Sequence, residues 1–290
     1  MKDYQQVLFP YAYNILGSAE DARDAIQDVL TKHYAENREG IGNEKAYLVK
    51  SVINHSINIK TRRKRTVQQE VWLPEPVATE SADANVYLKD ILSYSLLVLL
   101  EKLNGKERAV FILKESFDYS HEEIAGILSI TEDHSRQLLR RARTKLFKPH
   151  EAHPVSALDE RTQTLLNNYI DAIRGRNMQR LEGLLAEDVA FFADGGPKLS
   201  VFRKIGMGST EVAGILSHVY DTYLVRNAVR FTEVNHQPAI LYYYRGRLTS
   251  CLVFDISTTQ ERILQVSSVV DPEKLKYIAS TIPEPPPSTS

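Results

Sequence analysis

The stretch FFADGGPKLS, residues 191–200, sets a carboxylate on two glycines at the end of an aromatic run, with a lysine four residues on. Such a carboxylate suits proton abstraction: Asp194 would act as a base if burial raised its pKa and a nearby donor stabilised the oxyanion or enolate that forms. His218 and His236 are available as donors, although a lone histidine on a helix or loop is ordinarily structural. Tyr169, Phe191, Phe192, Tyr220, Tyr223, Tyr242, Tyr243 and Tyr244 could line an apolar cavity, or form plain core. The same loop also reads as a structural hairpin or a polar contact, in which Asp194, Gly195, Gly196 and Lys198 hold another part of the chain. Cys251, the single cysteine, forms no internal disulfide or metal cluster and reads as a packing residue, so no metal and no cofactor is expected.

A second chemistry is the binding of a polyanion. The formal charge of -1 over 290 residues hides two basic runs, KTRRKR at 60–65 and RQLLRRARTKLFK at 136–148. Either run alone reads as a solvated face. Together they point to a polyanion touched at two places. Arginine suits both parts of that task, because its planar fork pairs with guanine edges or with phosphates. Asn54 and Asn58 stand four apart on one helical face, where an amide can pair with exposed base edges of a melted strand. Lys60, Arg62, Arg63, Lys64 and Arg65 would then hold phosphates. Asp21, Asp24, Gln27 and Asp28 fall within two helical turns and offer an acidic, hydrogen-bonding surface to a basic protein partner.

These residues need helices to place them. Apolar residues at three-and-four spacing run through AEDARDAIQDVLTKHY and EKAYLVKSVINHSINIKTRRKR, with Ser18 and Asn43 as N-caps. VWLPEPVATESADAN then breaks the pattern as a linker, and helical periodicity resumes from about Ala84 to Lys148. Within it, Ser120 and Glu123 form a capping box and Thr131 caps a second helix carrying Leu138, Leu139, Ala142 and Leu146 inward. His134, Ser135, Arg136, Gln137, Arg140 and Arg141 are left for the outer face. A short helix, a tight turn and a longer basic helix match the helix-turn-helix that lays its second helix in a major groove. After KPHEAHPVSALDE the texture changes to two helices and then short aromatic and β-branched segments, interrupted by the helix STEVAGILSHVYDTYL: an α+β domain with a bent antiparallel sheet.

The segment LNGKERAVFILKESFDYSHEEIAGILSITEDHSRQLLRRARTKL resembles region 4 of bacterial sigma factors, and NILGSAEDARDAIQDVLTKHY with AYLVKSVINHSINIKTRRKR resembles region 2. Without a region 1 or a long region 3, the resemblance is to the extracytoplasmic-function group. The extension beyond region 4 resembles a SnoaL-like, ketosteroid-isomerase-like cone. WLPEP (72–76), DGGPK (194–198) and DPEKL (271–275) are similar to the WLPEP, DGGGK and NPDKL of the subgroup that carries such a domain. Pro197 in place of a glycine removes a backbone donor and fixes φ.

The resemblance implies a multidomain chain: all-α region 2 at 1–70, a linker at 71–85, an all-α helix-turn-helix region 4 at 86–150, a SnoaL-like domain at 158–278 and a disordered tail at 279–290. It implies a promoter-directing subunit, not an enzyme. Asp21, Asp24, Gln27 and Asp28 would dock on the polymerase β′ clamp, and region 4 on the β flap. Thr131, His134, Ser135, Arg136, Gln137, Arg140 and Arg141 would read the minus-thirty-five element. Asn54, Asn58, Lys60, Arg62, Arg63 and Arg65 would serve the minus-ten element. Trp72, Leu73, Pro74, Asp194, Gly195, Gly196, Lys198, Asp271, Lys274 and Leu275 would carry interdomain control in place of a conventional anti-sigma partner. Trp72 reads either as packing on the nearest region 2 helix or as an anchor for the third domain. With no basic stretch leading into an apolar run at the N-terminus and no apolar segment of membrane-spanning length, a cytoplasmic protein without membrane contact is expected. A small-molecule ligand in the C-terminal domain is the second reading, and an isomerase or hydrolase fused to a DNA-binding module the third.

Overall fold

A computed structural model of the chain describes residues 4–35, 42–66, 72–80, 86–146, 159–195, 206–257, 259 and 261–282. Two compact units emerge. One comprises residues 1–69, 81–92 and 96–150; the other comprises 70–80, 93–95 and 151–290.

The first unit is helical. Ser18 accepts the Asp21 amide at 3.0 Å and starts α2 (Ala19–Ala35) after α1 (Tyr4–Leu16), and Asn43 accepts the Ala46 amide at 3.0 Å to start α3 (Glu44–Thr66). Leu8, Ala12 and Ile15 on α1, Ala22 and Ile26 on α2, and Leu48 and Val52 on α3 are buried at three-and-four spacing and weld the three helices. A 3-10 turn (Val86–Asp90) precedes α4 (Tyr94–Leu100), α5 (Gly105–Glu115), α6 (His121–Leu128) and α7 (Glu132–Leu146). Asn104 and Ser120 each form a full capping box, with Glu107 and Glu123 returning to the cap backbone. Ser129 ends α6 in the left-handed region, φ 53°, and this makes the sharp turn into α7.

This unit also has a polar interior. Asn14 is fully buried; its side chain accepts the Leu92 amide at 3.0 Å and donates to the Asp90 carbonyl at 2.8 Å. Lys60 and Arg108 reach the last carbonyls of α1, Leu16 and Asn14, at 3.1 and 2.8 Å. The same two cations pair with Glu101, Lys60 at 2.7 Å. Helix-end carbonyls lacking intrahelical donors are thus satisfied by cations, where the helix dipole also favours positive charge.

The second unit packs α8 (Glu160–Arg174), α9 (Met178–Leu184) and α10 (Ser209–Val219) on a sheet of order β2-β1-β6-β5-β4-β3, with β1 (Leu185–Asp194), β2 (Gly206–Met207), β3 (Ala228–Val234), β4 (Gln237–Tyr244), β5 (Arg247–Ile256) and β6 (Ile263–Val269). All neighbours are antiparallel except β1 with β6, so the sheet is mixed. A π-helical segment (Tyr220–Leu224) continues α10, and α11 (Pro272–Thr281) closes the unit. The sequence reads helix through NMQRLEGLLAE, but the chain turns to strand at Leu185, which pairs with Ile263 and is buried with Ala186 and Val189. Tertiary pairing overrides helix propensity there. Helix α11 runs to Thr281 and Ile282 is buried, so residues 279–282 belong to the fold and not to a tail; 283–290 lie outside the described residues. Among the described residues, no helix is long and apolar enough to cross a membrane.

Candidate functional site

The helix-turn-helix presents His134, Arg136, Gln137, Arg140 and Arg141 on the exposed side of α7, and Thr131 caps its start by accepting the His134 amide at 3.2 Å. Arg136 is drawn back onto Glu132 (2.6 Å) and Asp133 (2.9 Å). Ser135 does not belong to this face: it is fully buried, with Oγ 2.9 Å from His121 Nδ1, because one position in each turn must face α6. Arg143 and Lys145 extend the basic side but pair with Glu115 (2.6 Å) and Glu107 (2.6 Å).

Helix α3 is occupied in a way its sequence does not announce. The Asn54 side-chain amide donates to the Ile127 carbonyl at 2.8 Å, and the Lys50 ammonium to the Gly126 carbonyl at 2.7 Å. These are last-turn carbonyls of α6, so two side chains of α3 cap the first helix of the helix-turn-helix. Lys60, assigned above to phosphate, is buried instead in the trio with Glu101 and Arg108. Burial, reinforced by the Arg108 guanidinium, pushes its ammonium down to about 7, against the pull of Glu101. Burial alone would raise the Glu101 carboxyl, but Arg108 and Lys60 outweigh it and hold it below the usual range. Asn58 and Arg62 remain exposed, Arg63 pairs with Asp21 at 2.7 Å, and the Arg65 side chain lies outside the described residues. On α2, Asp24, Gln27 and Asp28 are exposed on one face; Asp28 also meets His55 at 3.2 Å, and Asp21 is the half-buried partner of Arg63.

In the second unit the WLPEP segment is built into the fold. The Leu73 amide donates to Asp194 Oδ2 at 2.9 Å, and Lys274 Nζ donates both to the Leu73 carbonyl and to Asp194. The Lys274 ammonium also lies over the Trp72 ring, 4.2 Å from its centroid. Asp194, Lys274 and Leu73 are all buried. Asp271 accepts the Glu273 amide at 3.0 Å and caps α11 with Pro272 at its first position, which fixes the helix carrying Lys274 and the buried Leu275. Pro74 is buried, and its carbonyl accepts the Tyr94 hydroxyl at 2.7 Å.

Further along, residues 77–79 lie against the free edge of β3. The Asn235 backbone amide donates to the Val77 carbonyl at 2.9 Å while its side chain accepts the Val77 amide at 3.0 Å. Thr79 donates its amide to the Glu233 carbonyl and its hydroxyl to the Glu233 carboxylate, at 3.0 and 2.7 Å. The linker therefore extends an edge strand by backbone pairing. Asn235, Glu233 and Lys50 are site residues that the sequence reading missed. The signal for the first is the hairpin tip, where Asn235 and His236 both take positive φ.

Asp194 is committed to Leu73 and Lys274 and is not among the residues lining the large cavity of its unit. The contact reading of the loop fits this geometry and the base reading does not. Gly195 is buried beside it; Gly196 and Lys198 lie outside the described residues. Of the aromatic candidates, Phe191, Tyr223 and Tyr244 line the cavity, while Tyr169, Tyr220 and Tyr242 are core.

A model of sigma-70 region 2 matches residues 1–66 and a model of sigma-70 region 4 matches residues 93–146. The chain is 26% identical over 278 residues to the probable ECF RNA polymerase sigma factor SigI of Mycobacterium tuberculosis, an alignment spanning 93% of each chain. The chain belongs to the extracytoplasmic-function sigma factors. This sigma factor is also 26% identical over 226 residues to SigJ of the same organism, covering 76% of this chain and 72% of that one. The crystal structure of Mycobacterium tuberculosis SigJ superposes with a TM-score of 0.73 at 21% identity, over 94% of this chain and 96% of that one. The sigma factor thus has helical regions 2 and 4 followed by a C-terminal mixed sheet with helices, the fold that the SigJ crystal structure shares. Sigma factors as a family bind core polymerase and promoter DNA and are not in general enzymes.

Proposed function

We propose that this sigma factor directs core RNA polymerase to specific promoters, and that its C-terminal unit controls that activity by holding the linker between regions 2 and 4. The carrying observation is the capture of both Leu73 backbone groups by buried Asp194 and Lys274. A linker held this way has neither the reach nor the freedom of an open tether. Two weak promoter grips act together only if their tether lets both engage. The exposed Asp24, Gln27 and Asp28 support docking of α2 on the β′ clamp, and region 4 would meet the β flap. Arg140, Arg141, Gln137 and His134 are the exposed readers of the minus-thirty-five element, and Asn58 and Arg62 the exposed contacts for the minus-ten element.

The Asn54–Ile127 and Lys50–Gly126 bonds describe a closed pairing of regions 2 and 4, in which Asn54 is withheld from DNA. Release of the linker would let that pairing open. The C-terminal unit would then stand in for a separate anti-sigma protein.

The test is run-off transcription with core polymerase and the full chain, a chain ending before Asp271, and one ending after region 4. Promoter-specific transcripts that change in yield on truncation are expected. Absence of specific initiation from all three would refute the sigma reading, and equal yields from all three would refute control by the C-terminal unit.

A further inference from the structure

We infer that the C-terminal unit carries a surface for single-stranded DNA at the turn end of the β4–β5 hairpin, where Arg226, Arg245 and Arg247 meet phosphates and Tyr223 and Tyr244 stack on unpaired bases. The surface belongs to that unit alone and stands or falls apart from promoter reading by regions 2 and 4.

The turn itself is unusual. Tyr244 pairs with Arg247, so Arg245 and Gly246 are the two central residues of the hairpin, and both take positive φ, 49° and 80°. Such turns favour asparagine, aspartate or glycine at the first of these positions, because a longer side chain is strained there. Arg245 occupies it nonetheless. Its guanidinium lies over the Tyr244 ring, 5.3 Å from the centroid, while the cross-strand pairing puts Arg247 beside the same ring.

Arg226 is brought to this end by the neighbouring strand. β3 begins at Ala228, opposite Tyr243, so the residues just before it run beside the end of β4. The Asn227 backbone amide donates to the Leu224 carbonyl at 2.9 Å, and its side chain donates to the Thr249 hydroxyl at 2.7 Å, which ties the start of β3 to β5 near Arg247. The Thr249 hydroxyl in turn donates to the Tyr242 carbonyl at 3.0 Å. Three strand ends are thereby held together. The π-helical segment before β3 sets Tyr223 outward, 63% exposed, on the same rim as Arg226 and Tyr244.

Charge and exposure set this end apart from the rest of the unit. Arg176 is spent on Asp221 at 3.2 Å and Arg230 on Glu80 at 3.8 Å. Arg226, Arg245 and Arg247 are exposed and, among the described residues, pair with no carboxylate. Tyr223 and Tyr244 are exposed beside them.

These residue types favour one partner. Arginine forks suit phosphates, and a tyrosine ring with a guanidinium on one face leaves the other to a base. A duplex offers phosphates but keeps its bases stacked on one another, and an acidic peptide has no flat face for the rings. A single strand uses both features. DNA is the strand chosen because sigma factors as a family bind promoter DNA.

The experiment follows fluorescence anisotropy of a short labelled oligothymidylate, titrated with the full chain over a range of salt. Arg245→Asn suits the turn, so it should keep or raise the melting temperature while lowering the dependence of log affinity on log salt by about 0.7, the value of one single-strand phosphate contact. Tyr244→Ser should weaken binding by about fivefold or more and leave that dependence unchanged. An iodouracil placed in the oligonucleotide should crosslink under light to peptides bearing Tyr223 or Tyr244. Crosslinks confined to residues 1–150, or wild-type salt dependence in Arg245→Asn, overturn the surface. Equal displacement of the probe by a duplex or by polyglutamate overturns the single-strand assignment, and tighter binding of oligouridylate overturns the choice of DNA. Sedimentation with phosphatidylglycerol vesicles that unlabelled oligothymidylate does not reverse would make it a membrane surface instead.

Discussion

The Asn54 side-chain amide sits 2.8 Å from the Ile127 carbonyl, joining the middle of the helix that resembles the promoter-melting segment to the end of the first helix of the helix-turn-helix. The bond caps an α6 carbonyl that would otherwise lack a donor. Asn54→Ala should cost about 1 kcal/mol, the usual net worth of one such bond. Hydrogen exchange should quicken in the turn after α6, whose Ile130 amide bonds to Ala125. Unchanged exchange there would show that the cap does not hold the two helices together.

Lys60, Glu101 and Arg108 put two cations around one carboxylate inside the helical unit. Removing the carboxylate strands both cations, so Glu101→Gln should destabilise by about 3–5 kcal/mol in chemical denaturation. Lys60→Met removes a costly buried charge, leaves the Glu101–Arg108 pair intact and keeps similar volume; it should cost under about 1.5 kcal/mol. A larger loss in Lys60→Met than in Glu101→Gln would reverse this ranking.

The same carboxylate sets an acid limit. Its folded pKa lies below the ordinary 4.5, so it binds protons more weakly folded than unfolded. Its stabilising contribution is complete above the unfolded value and is lost as pH falls through the folded one. The melting-temperature gap between wild type and Glu101→Gln should therefore shrink as pH falls below about 4.5.

Trp72 is the only tryptophan, which makes its fluorescence a direct report on the linker contact. Lys274→Met removes the cation from its face, the donor to Leu73 and the partner of Asp194 together. A red-shifted, more quenchable emission and faster proteolysis within residues 72–80 are expected. Lys274→Arg, which keeps the charge, should fall between the two. Wild-type emission in Lys274→Met would mean that the segment is held by its β3 pairing alone.

For promoter binding, Arg140→Ala and Arg141→Ala should each lower the dependence of log affinity on log salt by about 0.9, the value of one lost phosphate contact. Ser135→Ala should leave that slope unchanged and lower the melting temperature, because Ser135 faces His121 inside the helix pair. A slope change in Ser135→Ala would put it back on the DNA face.

Much of this was legible locally. Ser18, Asn43, Ser120 and Thr131 cap the helices they precede, since a cap acts over three residues and its partners are adjacent in the chain. Three-and-four spacing likewise marked Leu138, Leu139, Ala142 and Leu146 as the inner side of α7, all of them buried. Ser135 escaped that reading because a small polar residue looks the same on either face until its partner is placed. Lys60 escaped it because a lysine in a basic run resembles its exposed neighbours; only the arrival of Glu101 and Arg108, from more than forty residues away, makes its burial affordable.

By itself the sequence determined the helix starts, the apolar faces, the helix-turn-helix and the three short motifs, all set by neighbours within a few residues. The tertiary structure decided which polar groups those elements use. It turned Asp194 from a possible base into a partner of Leu73 and Lys274, bent residues 77–79 onto the β3 edge and spent Asn54 on Ile127. Such pairings depend on bringing together residues 73 to 201 positions apart, and no local propensity carries that information.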